Sequence, residues 1–313
     1  MRNTGVFVVF TAAVFGQLPP VDQKIADLTE LIDRKPDFAG AYYARGATRL
    51  AAGQYQMAEL DLSKAIELKP DAMGYASRAQ LYAAMKRPDQ EVADLTAAIR
   101  LKPRNPTYYI RRGNSYRAKG DCQLAVADYS EAILILPAPG VYRLRAACRT
   151  QLGDIAGAGE DERAIEQMKA PRNAPPPVAA PPDSILPILG AIPSEAPRPS
   201  SGGGAIPKMP ALAPSQQGVY RIGGGVSQPS LLFKVEPEYS EAARKAKWQG
   251  TVSLLIVVNE FGEPRDMKVI GALGMGLDEE AIAAVQRWVF KPGQKDGQPV
   301  AVYANVVVTF HLL

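Results

Sequence analysis

The 313-residue sequence has a single histidine, His311, and only two cysteines and two tryptophans. That histidine falls in an expected terminal strand, so no Ser-His-Asp or Cys-His arrangement and no multi-histidine metal site can be assembled around it. Ser200, Ser201 and Ser240 sit in proline- or charge-rich surroundings without a nearby base. The glycines at 271, 274 and 276 have the wrong spacing for a phosphate loop and lack its Gly-Lys-Ser ending. A net charge of +4 is too small to point to nucleic acid or an anionic membrane surface. No run of about twenty apolar residues occurs, and no cysteine stands near the N-terminus for lipid attachment. The expectation is a protein that is not an enzyme and uses no cofactor and no metal.

The pattern that is present is clearest at residues 229–313. Val252, Leu254, Ile256 and Val258 alternate with polar positions at the period of a strand, and residues 260–264 supply turn types before a second strand at 265–271. After Gly276 the period becomes helical, with Leu277, Ala281, Ile282, Val285 and Trp288 on one face and Asp278 expected as N-cap ahead of Glu279 and Glu280. Asp296-Gly297 then turns the chain into 300–310. There Val302, Ala304, Val306, Val308 and Phe310 face one way, and Tyr303, Asn305, Val307, Thr309 and His311 the other. The unit reads ββαβ.

These residues resemble the C-terminal domain of the TonB family. The likeness rests on Pro237-Glu238-Tyr239, a short helix at 241–246, Gly250-Thr251-Val252, residues 259–262, Leu277-Asp278, Trp288-Val289-Phe290-Lys291-Pro292 and residues 296–300. Ser240 departs from it, since the family usually has proline there and a serine is expected to loosen the turn. The resemblance implies a periplasmic protein that contacts TonB-dependent outer-membrane transporters. If the third strand settles beside the first, its outer edge can capture an extended peptide, and Val302, Tyr303, Asn305, Val306, Val307 and Thr309 are the candidate partner-binding residues.

Residues 1–17, with Arg2 ahead of a short apolar run, are expected to be a signal peptide, which places the protein in the periplasm. The alternative is a short retained anchor in the inner membrane, which would make the chain a TonB-like energy transducer for transmembrane transport.

Residues 21–170 repeat. Gly46, Ala79, Gly113 and Ala146 are spaced by 33, 34 and 33 residues, and Pro70, Pro103 and Pro137 close successive units, a pattern that resembles tetratricopeptide repeats. A lone helix precedes the first full repeat, and a weaker fourth repeat ends the array. Arg45, Arg78, Arg112 and Arg145 are each followed 16 residues later by Asp61, Asp94, Asp128 and Asp161, and preceded by three by Tyr42, Tyr75, Tyr109 and Tyr142. The constant pairing predicts salt bridges joining the two helices of each repeat, in preference to a basic ladder for acidic peptides. Asp27 holds the same place in the lone helix but has no arginine 16 residues before it. Cys122 and Cys148 are expected either to form a disulfide between adjacent repeats or to serve as buried small hydrophobes.

Residues 171–229 hold 14 of the 27 prolines, so 171–228 is expected to be a disordered Pro/Gly-rich linker, spanning roughly 40–45 Å on average. The expected architecture is multidomain: an all-α repeat solenoid, the linker, and a small α+β domain at 229–313. The expected function is a protein–protein interaction adaptor that holds an unknown peptide or protein at the repeats and a transporter motif at the C-terminal domain, with no nucleic acid. A structural or cell-wall-associated repeat protein is the remaining alternative.

Overall fold

The computed structural model describes residues 20–169 and 218–311. The expected signal peptide and most of the expected linker lie outside the described residues.

Among the described residues, nine helices form the first body: α1 (Val21–Arg34), α2 (Ala39–Ala51), α3 (Tyr55–Leu68), α4 (Ala72–Ala84), α5 (Pro88–Leu101), α6 (Pro106–Lys119), α7 (Cys122–Ile135), α8 (Pro139–Gln151) and α9 (Ile155–Lys169). Helices α2 to α9 pack as four consecutive pairs, and α1, the first helix among the described residues, packs on α2. The small residue of each unit is there because its partner helix comes close. A Cβ on Gly46 would lie 2.9 Å from Leu62 Cγ, and one on Gly113 would lie 2.8 Å from the Tyr129 ring. Asp71 and Asn105 cap α4 and α6 by accepting from the Gly74 and Thr107 amides.

Each ladder arginine grips its aspartate with two nitrogens. Arg45 Nε and Nη2 donate to Asp61 at 3.0 and 2.8 Å, and Arg78 to Asp94 at 2.8 and 2.8 Å. Arg112 reaches Asp128 at 2.9 and 2.7 Å, and Arg145 reaches Asp161 at 3.1 and 2.6 Å. The third nitrogen does something the sequence reading missed. Nη1 of the four arginines donates in turn to Thr29, Ser63, Thr96 and Ser130, each on the preceding repeat, at 2.9–3.0 Å. Each guanidinium also lies 5.5–5.9 Å from the ring of the tyrosine three residues earlier. The ladder therefore joins helices within a repeat and repeats to one another.

Cys122 and Cys148 are both buried free thiols. Cys122 donates to Gln151 Oε1, and burial together with the neighbouring Cys122 pushes the Cys148 thiol up to about 11. At neutral pH Cys148 is a protonated, unreactive group that fills the space between α7 and α8.

The second body contains β1 (Val219–Tyr220), β2 (Ser230–Phe233), α10 (Glu241–Ala246), β3 (Gly250–Val258), β4 (Pro264–Gly271), α11 (Leu277–Val285), β5 (Val289–Lys291), β6 (Gly293–Lys295) and β7 (Gln298–Phe310). The main sheet runs β1-β7-β3-β4, with β6 paired to the start of β7, and β2 and β5 form a separate antiparallel ribbon. Its core is the apolar face of β3 and β7 closed by Leu277, Ala281, Val285 and Trp288.

Four expectations need correction. The expected linker stops short of residue 228, because 218–228 is folded onto the sheet as β1 and a turn. Asp278 is not the N-cap; Gly276 holds that place in a left-handed conformation, and Asp278 accepts from the amides of Leu273 and Gly274, tying down the loop before the helix. Trp288 lies beyond the end of α11, buried, with its indole N–H donating to the Val235 carbonyl. Ser240 tightens its turn, since it caps α10 through the Ala243 amide and also bonds the Met275 carbonyl.

The two bodies share a core. Leu28, Leu31 and Ile32 of α1 and Phe38, Ala41 and Ala44 around the start of α2 pack with Leu232 of β2 and Val289 of β5. Lys291 donates to Asp27 at 2.8 Å, so the C-terminal body supplies the cation that the lone helix lacks in sequence. Lys35 pairs with Glu263 at 2.7 Å, Arg34 donates to the Glu260 carbonyl at 2.7 Å, and Tyr43 meets Phe233 edge-on at 5.5 Å. Beside this contact lies a cleft of about 370 Å³ lined by Phe38, Tyr43, Asp71, Met73, Arg265 and Arg287.

Burial raises the Glu263 carboxyl, but bonds from Lys35, Arg265 and Asn259 outweigh it and hold the pKa below its ordinary value of 4.5. A depressed carboxylate contributes stability above its unfolded pKa and loses it as pH falls through the folded value. The docked arrangement is therefore expected to loosen as the pH falls below the ordinary carboxyl value and through the depressed one. Small-angle scattering against pH should show the expansion, and Glu263→Gln should remove that part of the acid dependence.

Candidate partner-binding edge

Strand β7 forms because burial alternates from Val302 to Val308 and no proline interrupts the run after Pro299. It pairs antiparallel with β3 from Val302 opposite Val258 to Phe310 opposite Gly250. That one ladder sets the faces. Val302, Ala304, Val306, Val308 and Phe310 are buried in the core, while Tyr303, Asn305 and Val307 are half-buried on the opposite face and Thr309 is nearly covered.

The other side of β7 is occupied only at its beginning. Residues 298–300 pair with β6, and Ala301 and Val302 pair with the parallel strand β1. From Tyr303 to Phe310 no strand lies on that side among the described residues. The backbone groups there that do not point to β3 form an open template.

The structure gathers the candidate residues unequally. Val302 and Val306 are core residues whose side chains face away from a partner's reach, and Val302 is already covered by β1 along its backbone. Tyr303, Asn305 and Val307 share the half-buried outer face, on which Thr309 is nearly covered. Asn305 Oδ1 is buried without a hydrogen-bond partner among the described residues, an arrangement that costs about 1–3 kcal/mol until a donor arrives. No group of three or more metal-ligating side chains occurs among the described residues.

Residues 235–312 match the family model described as Gram-negative bacterial TonB protein C-terminal. Residues 39–72 and 74–105 match the tetratricopeptide repeat model. The chain thus carries repeats similar to tetratricopeptide repeats and a C-terminal domain similar to that of TonB. Protein TonB of Vibrio cholerae is 33% identical over 97 residues, which is 28% of this chain and 40% of that protein. Protein tonB2 of Pseudomonas aeruginosa is 33% identical over 82 residues, 26% of this chain and 30% of that one. The chain thus spans less than half the length of either relative. A crystal structure of MamA aligns with 48% of this chain and 91% of its own at 20% identity, with a TM-score of 0.45.

Both matched families are non-catalytic, and both imply protein partners. No helix among the described residues is long and apolar enough to cross a membrane. The residues that dock the TonB-like domain on the array were not singled out in the sequence reading. Lys291 lies within a motif that marks the family, and the unpaired Asp27 was the signal that a cation was missing.

Proposed function

We propose that this chain is a periplasm-facing interaction protein whose TonB-like domain takes up an extended segment of an outer-membrane transporter along β7, while the repeat array holds a second protein. The open side of β7 from Tyr303 onward carries the reading. A partner strand laid there makes main-chain hydrogen bonds for affinity, and its alternate side chains meet Tyr303, Asn305, Val307 and Thr309 for selectivity. The buried Asn305 acceptor favours a partner with a donor at the facing position.

In an antiparallel ladder successive N–H groups point to opposite sides, so of Asn305 and Val306 one amide points to β3 and the other outward. Proline at the outward position is expected to weaken binding of synthetic peptides copying transporter N-terminal segments by about tenfold while leaving the melting temperature nearly unchanged. Proline at the other position should break the ladder and unfold the domain. Unchanged peptide binding by a folded variant would move the partner surface away from β7. A concentration-dependent dimer that the same proline dissolves would show that the edge pairs with its own copy instead.

A further inference from the structure

Strand β1 occupies part of the same edge, and its construction is unlike that of the rest of the sheet. It is two residues long and parallel, with Val219 opposite Ala301 and Tyr220 opposite Val302. Tyr220 is exposed and Val219 half-buried, so neither contributes to the core. The segment just after it is fixed much more firmly. Ser227 donates its amide to the Gln294 carbonyl at 2.8 Å and accepts the Gln294 amide on Oγ at 2.8 Å, and Val226 is buried and bridges to Lys295. A Cβ on Gly293 would lie 2.5 Å from the Ser227 carbonyl oxygen, so the two chains are in close contact there.

Between the anchor and the strand stand Gly223, Gly224 and Gly225, with φ of 107°, 59° and 86°. Left-handed values at three successive residues suit glycine alone, and they fold the chain into a turn closed by reciprocal Gly223 and Val226 backbone bonds. The turn carries the chain off β7 immediately after Tyr220. Were it not there, the strand would run on beside Tyr303. Lys295, placed 4.7 Å from the Tyr220 ring, adds one modest contact.

A short, weakly held strand on a firm tether is built to be displaced. We propose that Val219–Tyr220 is an internal competitor for the β7 edge, kept in place by its tether and released when a longer extended peptide pairs back to Ala301 and Val302. This rests on the reading of β7 as the partner edge. The tether gives the segment a high effective concentration although its own contacts are few. An incoming peptide that pairs only from Tyr303 onward leaves β1 seated, whereas one long enough to reach Ala301 must push it off. The segment thereby sets where a partner strand starts and how much of the edge it can gain.

The test uses the full chain with Val219→Pro/Tyr220→Pro, which removes whichever β1 amide points to β7 and leaves the anchor at 226–227 intact. Hydrogen exchange in the free chain should rise at residues 301–303 in the variant if β1 is seated there in the wild type. Long transporter-derived peptides should bind the variant about five- to tenfold more tightly, the worth of one modest hydrogen bond, while short ones that stop at Tyr303 should bind both chains alike. Equal affinity of the long peptides for both chains, or unchanged exchange at 301–303, overturns the competitor and leaves the edge reading standing. Peptides that bind neither chain, with no effect of proline at 305 or 306, defeat the edge reading and this inference with it.

Discussion

Asp128→Ala is expected to destabilise the repeat array by about 3–5 kcal/mol, the usual cost of removing one partner from a buried ion pair. Both oxygens of Asp128 accept from Arg112, and the side chain is almost wholly shielded from water. Its loss leaves a guanidinium enclosed between α6 and α7, still bonded to Thr96 but without its counter-charge. Arg112→Ala should also be costly, for it strands the buried carboxylate and unfastens the bond to the preceding repeat. The double replacement should cost less than the sum by about 0.5–3 kcal/mol, because the second change removes the group that the first left unpaired. Denaturant midpoints of the four chains provide the measurement. Additive losses would mean that the pair contributes only as two independent surface charges.

Leu31→Asp is expected to separate the array from the TonB-like domain, with a loss of about 3 kcal/mol or more. Leu31 is 2% exposed and sits against Leu232 and Val289, so the new carboxylate would be buried without a hydrogen-bond donor built for it. The variant should melt in two steps where the wild type melts in one, and amide exchange should rise along α1. The turn at Gly262 enters the same contact. A Cβ there would fall 1.9 Å from the Phe290 carbonyl oxygen and 3.5 Å from Leu31 Cδ1, and φ is +81°. Only glycine lets the β3–β4 turn lie between β5 and α1. A single unshifted transition in Leu31→Asp would show that the domains touch without depending on each other.

What could be read in the sequence was whatever repeats or alternates. The spacing of Gly46, Ala79, Gly113 and Ala146 located the helix pairs, and the offset of 16 located Arg45 with Asp61 and its three counterparts. Period two located β7 and its two faces. The docking of the bodies was hidden because Lys291 and Asp27 are 264 residues apart, and a pair made once carries no period. Strand β1 was hidden for a different reason. Its two residues are too few to alternate, and the glycines that follow made the segment look like linker, although those same glycines build the turn that seats it. Asp278 misled because an aspartate ahead of a helix can cap it from outside or brace the loop from within the first turn, and composition does not separate the two.

The hydroxyl column also marks where the ladder ends among the described residues. Thr29, Ser63, Thr96 and Ser130 each stand two residues after a ladder aspartate and each receives the arginine of the next unit. Two residues after Asp161 stands Arg163, exposed, a donor where the earlier units have an acceptor. At the opposite end Lys291 takes up Asp27, the carboxylate that the arginine of an added unit would otherwise hold. Among the described residues, the ladder that joins the units therefore runs from Thr29 to Asp161.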